Sequence, residues 1–314
     1  MPHSTPAAAP SRTALLTAFA AVYLIWGSTY LVMKFAVATM PPLLMAGTRY
    51  GLAGALLYGF MRWQGAPRPT WRGWGYGAII GVCLLGFGNG GTTFGVLYLP
   101  SGTAALLVAT VPMFLAVLGW LSGASARPTL PVALGLAVGL VGTGLLAAHP
   151  SAAAVRQPGH AGLGTALVLL ASFVWAVGSL YSKKHQPAPS PFLSGGMQML
   201  CGGAAMLALG LARGEAADFH WAQVSTKSWL AYGYLVSVGS IVAFSAYIWL
   251  LRAVEPALAG TYAFVNPVVA VGLGWAFAGE SLSPQMLGGA ALIVLAVGLV
   301  VLGGRSRRLV RKEE

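Results

Sequence analysis

The stretch PPLLMAGTRYGLAGALLY, Pro41 to Tyr58, reads as the opening of a membrane helix and yet carries Arg49. Arg49 stands eight residues past Pro41, about 12 Å along a helix that rises ~1.5 Å per residue. The apolar slab of a bilayer is about 30 Å thick, so that depth lies well inside it. A permanently charged side chain there is costly. It marks a cavity, or it satisfies loose carbonyls and pins two helices together.

Composition fixes the solvent. Charged residues make up 8% of the chain and apolar ones 57%, whereas a soluble domain is nearer 25% charged. Net charge is +12, but the cations stand at the edges of apolar segments rather than on one solvated face, which excludes nucleic-acid binding. Cys83 and Cys201 fall inside apolar segments and read as small buried hydrophobes, with no disulfide framework.

Ten segments are long and apolar enough to span: approximately 13–35, 42–62, 72–96, 102–122, 130–148, 161–182, 190–212, 228–250, 257–279 and 284–304. The first exceeds a 7–15-residue signal core and lacks a cleavage site, so it reads as a retained helix. A β-barrel would need short alternating strands instead. Pairs such as Gly77/Gly81 and Gly135/Gly139 offer close helix contacts. With a cytoplasmic N-terminus, thirteen Lys and Arg fall on inner segments and four on outer ones (Lys34, Arg156, Arg213, Lys227). That bias puts both termini inside.

The chain repeats itself. A shift of 149 carries Trp26 onto Trp175, Leu31 onto Leu180, Lys34 onto Lys183, Pro42 onto Pro191, Gly47 onto Gly196 and Gly54 onto Gly203. A shift of 155 carries Pro112 onto Pro267 and Leu118-Gly119-Trp120 onto Leu273-Gly274-Trp275. Five spans per repeat is an odd number, so the second copy enters the membrane inverted, the usual architecture of alternating-access carriers. The expected organisation is a cytoplasmic tail (1–12), a first repeat (13–148), a periplasmic linker (149–160), a second repeat (161–304) and a basic cytoplasmic tail (305–314).

The segments YLIWGSTYLVMK (23–34), PPLLMAGTRY (41–50), GNGGTTFGVLYLPSGTAALLVATVP (88–112), SFVWAVGSLYSKK (172–184) and EPALAGTYAFVNPVVAVGLGWAFAGESLS (255–283) resemble the drug/metabolite transporter superfamily. The match is to its EamA-type, ten-helix branch and the YedA-like inner-membrane exporters within it, over about residues 13–304. The resemblance implies an all-α integral membrane protein of two inverted EamA repeats that exports small metabolites or drugs across the bacterial inner membrane by alternating access. The family often has an acidic residue in a Gly-Glu pair before the last helix of each repeat. Gly279-Glu280 keeps it, and Ser125 replaces it in the first half. Either side chain can cap helix amides, so Glu280 reads as a structural or gating contact rather than a coupling residue.

Arg49 is the sharpest candidate for binding substrate. Lys34 either faces substrate or snorkels to the outer interface. Trp26 and Trp175 lie deep in the first and sixth segments, although tryptophan prefers interfaces, and so form a cavity wall or a tight pack. Asn89, Thr92, Thr93, Gln198, Tyr247, Tyr262 and Asn266 are further polar groups at depth, each open to an interhelical hydrogen bond instead. Pro112 and Pro267 are candidate bends on which the halves rock. The GxGxxG pattern at 86–91 lies inside a span with no strand before it and is no dinucleotide site. The basic run Arg305, Arg307, Arg308, Arg311 and Lys312 reads as a topology signal.

Histidines 3, 149, 160, 185 and 220 and most carboxylates sit in tails or loops, so no catalytic, metal-ligating or cofactor constellation forms. A channel lacks a filter sequence, and a structural subunit has no need of Arg49 or of internal symmetry. The expected function is export of amino acids or related zwitterionic or anionic metabolites, as a facilitator or with weak proton coupling. A proton-coupled multidrug carrier is the alternative. The expected partners are that small molecule and the bilayer, and the chain is expected to act as a monomer.

Overall fold

A computed structural model describes residues 10–95, 98, 101–147, 160–217, 219–278 and 283–313. The regular elements among the described residues are all helices, with no strand. In chain order the helices are α1 (Arg12–Ala20, Ala21–Ile25 and Trp26–Ala36), α2 (Pro42–Trp63), α3 (Trp71–Gly81, Val82–Asn89 and Gly90–Gly95) and α4 (Ser101–Val108 and Val111–Leu121). There follow α5 (Leu130–Ala147), α6 (Ala161–Lys184), α7 (Pro191–Ala212) and α8 (Thr226–Tyr234, Leu235–Val242 and Ala243–Ala253). The last are α9 (Pro256–Ala259 and Tyr262–Ala278) and α10 (Pro284–Glu313). Among the described residues seven helices are long and apolar enough to cross a membrane, and Leu106–Leu121 and Leu130–Leu145 are shorter apolar helices.

Local chemistry sets the helix ends. Ser11, Thr70, Ser190, Ser225 and Ser283 accept the amides of Ala14, Gly73, Leu193, Ser228 and Met286. Helix α2 has no such cap, since Pro41 precedes it. Glu215, from the far end of α7, serves instead: one carboxylate oxygen accepts the amides of Leu43 and Leu44, each at 2.9 Å. The helices α2 and α7 end alike. Gly65 and Gly214, 149 apart, take φ of 85° and 76°, and the amides of Ala66 and Glu215 return to the carbonyls of Met61 and Gly210.

The same pair crosses at glycines. Cβ atoms added to Gly54 and Gly203 would lie 2.7 Å from the Leu200 amide nitrogen and 2.6 Å from that of Gly51. Gly54 faces Gly196, while Gly203 faces Gly47. The shift of 149 converts one contact into the other, so the crossing has local two-fold symmetry. The Gly77/Gly81 and Gly135/Gly139 pairs also make close contacts. Gly77 and Gly81 lie on α7 at Met197 and Gln198, Gly135 lies on α10 at Ala296, and Gly139 lies on the Phe264 ring.

The two expected proline bends differ. Helix α4 breaks at 109–110, and Pro112 opens its second piece. Pro267 sits inside the unbroken piece Tyr262–Ala278, and α9 breaks earlier, at 260–261. The Thr261 hydroxyl holds that break by donating to the Leu258 carbonyl at 2.7 Å. The proline's missing amide is therefore absorbed within a continuous helix.

Two wide i→i−5 turns complete the symmetry. Val82–Asn89 in α3 and Leu235–Val242 in α8 are both eight-residue π-helices, 153 positions apart. A third, shorter one runs Ala21–Ile25 in α1. Such insertions are rare and concentrate at functional sites.

Candidate functional site

Trp26 and Trp175 meet edge to face, with ring centroids 5.8 Å apart. Tyr262 lies 4.7 Å from Trp26, and Tyr247 lies 5.2 Å from Trp26 and 5.7 Å from Trp175. The four rings come from α1, α6, α8 and α9, and Trp175, Tyr247 and Tyr262 are buried. The deep tryptophans thus form a tight pack in this conformation. A layer of polar atoms holds the rings. The Trp175 indole donates to the Tyr247 hydroxyl at 3.0 Å, and Ser179 meets that hydroxyl at 2.7 Å. The Trp26 indole donates to the Gly239 carbonyl at 3.2 Å, inside the π-helix of α8. Tyr23, one turn before Trp26, meets the Thr261 hydroxyl at 2.5 Å.

The other tryptophan has the mirrored neighbour. A Cβ on Gly88, inside the π-helix of α3, would lie 2.8 Å from the Trp175 ring. Each repeat therefore sends the tryptophan of its first helix against the π-helix of the other.

Arg49 is 2% exposed. Its Nε donates to the Leu235 carbonyl at 3.2 Å and the Ser240 hydroxyl at 2.8 Å, while Ser240 itself donates to Leu235 at 2.9 Å. Its Nη2 would lie 3.1 Å from a Cβ on Gly239. These bonds tie α2 to α8, the rival reading of a buried arginine, and they fall on the π-helix. Nη1 is buried without a hydrogen-bond partner.

Asn89 donates to the Tyr50 hydroxyl at 3.2 Å. Thr92 and Thr93 bond back to carbonyls of their own helix. Gln198, fully buried, donates to Ser194 at 3.4 Å and leaves Oε1 unpartnered. Asn266 follows Tyr262 by one turn on the same face of α9, with Oδ1 buried and unpartnered. The Lys34 side chain and all of Glu280 lie outside the described residues. The cap at the start of α10 is Ser283, and Ser125 does not cap, since its buried hydroxyl has no partner. Tyr23, Ser179, Gly239, Ser240 and Thr261 were not singled out in the sequence. For Gly239 a signal existed, because Gly86 occupies the same place in the other half.

Two hollows lie away from the rings. One of about 270 Å³ is lined by Met40, Met45, Thr48, Trp221, Trp229 and Tyr232 among others. An open groove of about 460 Å³ runs between residues 67–70 and 186–189.

Apolar helices, a chain folded as two related halves, and buried rings and polar atoms where they meet define a polytopic membrane carrier. The chain belongs to the EamA-like transporter family, whose model matches residues 12–148 and 162–302. It is 40% identical over 92% of its length to the "Uncharacterized inner membrane transporter YedA" of Escherichia coli K12, covering 91% of that protein. A "Probable amino-acid metabolite efflux pump" of Salmonella typhimurium is 27% identical over 92% of this chain and 95% of its own. One crystal structure superposes with a TM-score of 0.75 over 94% of this chain and 100% of that one, at 21% identity, and shows the same fold. The protein is a multi-pass inner-membrane transporter.

Proposed function

We propose that the protein exports amino acids or related zwitterionic and anionic metabolites by alternating access. Ten spans form two inverted five-helix halves, residues 13–148 and 161–304, with both termini cytoplasmic. The carrying observation is the meeting of Trp26 and Trp175, each set against the π-helix of the opposite half. When the halves rock, this contact opens and its rings become the walls of the substrate site. Aromatic faces receive an ammonium group, and the buried positive charge of Arg49 behind Trp26 and Gly239 favours a substrate that carries a carboxylate. Asn266 and Gln198 supply acceptors. The name of the Salmonella relative supports an amino-acid substrate.

The four rings would also suit a lipophilic cation, as in a multidrug carrier, but the Arg49 guanidinium opposes it. The test is flux in proteoliposomes with substrates of graded charge. Zwitterionic and anionic amino acids should move and cationic drugs should not. Transport confined to cationic drugs overturns the reading.

A further inference from the structure

We infer that Arg49 is a positioning residue that sets Trp26 through the π-helix of α8. The inference rests on the reading of the ring cluster as the substrate site. Three contacts carry it. Arg49 Nε holds the Leu235 carbonyl and the Ser240 hydroxyl, which lie five residues apart within the wide turn. The same guanidinium lies against Gly239, between them. Gly239 gives its carbonyl to the Trp26 indole. A π-helix holds one more residue per turn than the neighbouring α-helix needs, so an external donor at its first carbonyl stabilises the wide form. Released, the stretch can tighten and carry the Gly239 carbonyl away from Trp26.

The other half lacks this lock. The shift of 149 puts Gln198 where Arg49 stands, and the shift of 153 puts Phe87 where Ser240 stands. Gln198 bonds to Ser194 of its own helix, and the Trp175 indole bonds to the Tyr247 hydroxyl rather than to a backbone carbonyl. One π-helix is braced by a buried cation and the other is not. The halves are alike in fold and unequal in stiffness, and Arg49 is the residue that makes them so.

The experiment compares Arg49→Gln, Arg49→Lys and Ser240→Ala in proteoliposomes loaded with leucine or glutamate. Trp26 emission is read as the difference from the same protein carrying Trp26→Phe. Loss of a hydrogen bond to a charged group corresponds to a change of about tenfold or more. Arg49→Gln should raise KM about tenfold for both substrates. Ser240→Ala, which leaves every charge in place, should raise KM in the same direction by less. Both variants should shift Trp26 emission alike. Lysine should fail to rescue, because it puts a methylene at the position of the Nε that holds both acceptors. An effect that lysine rescues, or one confined to glutamate, overturns positioning in favour of direct contact. So does unchanged Trp26 emission in folded Ser240→Ala. Should the wild type carry neither amino acid, the substrate reading fails, while the emission difference still decides the positioning role.

Discussion

Gly54→Ala is a one-carbon test of the α2–α7 crossing. The new methyl would stand 2.7 Å from the Leu200 amide nitrogen, 0.7 Å short of the 3.4 Å at which ordinary contact begins. Its next neighbour, the Gly196 carbonyl oxygen, lies 2.9 Å away. Both obstacles are backbone, so no rotamer change relieves them and the helices must part. Overpacking of this kind costs about 1–3 kcal/mol. Gly203→Ala meets the mirrored obstacle, the Gly51 nitrogen at 2.6 Å. The controls are Gly51→Ala and Gly59→Ala, where an added Cβ meets nothing within 4 Å. There the better helix former gains up to ~1 kcal/mol. The same gain accrues to the test variants, so test and control should differ by the overpacking cost, about 1–3 kcal/mol, read as a lower melting temperature of the purified protein in micelles. The double variant Gly54→Ala/Gly203→Ala should cost less than the two singles together, because one separation relieves both contacts. If Gly54→Ala melts with Gly51→Ala, the crossing does not depend on backbone contact at glycine and the reasoning fails.

Two other outcomes are expected. Glu215→Ala, which frees the amides of Leu43 and Leu44, should lower stability by about 0.5–2 kcal/mol in the same melts, with Glu215→Gln recovering part of it. A proton gradient imposed on substrate-loaded liposomes should change efflux little, since the buried polar side chains among the described residues include no Asp, Glu or His. Strong uphill accumulation would refute this and make Lys34 the first residue to mutate.

The sequence made helices and symmetry legible where residues are scarce. Two deep tryptophans 149 apart stand out in any background, and they proved to touch. The glycines of the α2–α7 crossing share the same offset, yet in a chain of 43 glycines the coincidence was noise. Their significance lies in which backbone they approach, a fact of tertiary packing. The π-helices were hidden for another reason: one extra residue in a turn leaves an apolar run apolar, so hydropathy does not register it. The Glu215 cap was hidden because it joins residues more than 170 positions apart. Arg49 was legible as a problem, and its solution, a carbonyl and a hydroxyl inside a π-helix, was not. Pro267 does not break α9, since a proline inside a membrane helix need not interrupt it.

The glycine crossing of α2 and α7 has the self-complementary pattern of an isologous dimer interface, in which patch i meets j and j meets i. At this crossing α2 and α7 pack as two copies of one segment would in an antiparallel homodimer. In such a dimer every substitution appears twice, so an arginine at the Arg49 position would bury two cations. Joining the copies into one polypeptide removes that constraint. Gln198 can then stand where a second arginine would have stood, and the molecule gains a direction that no pair of identical subunits could encode.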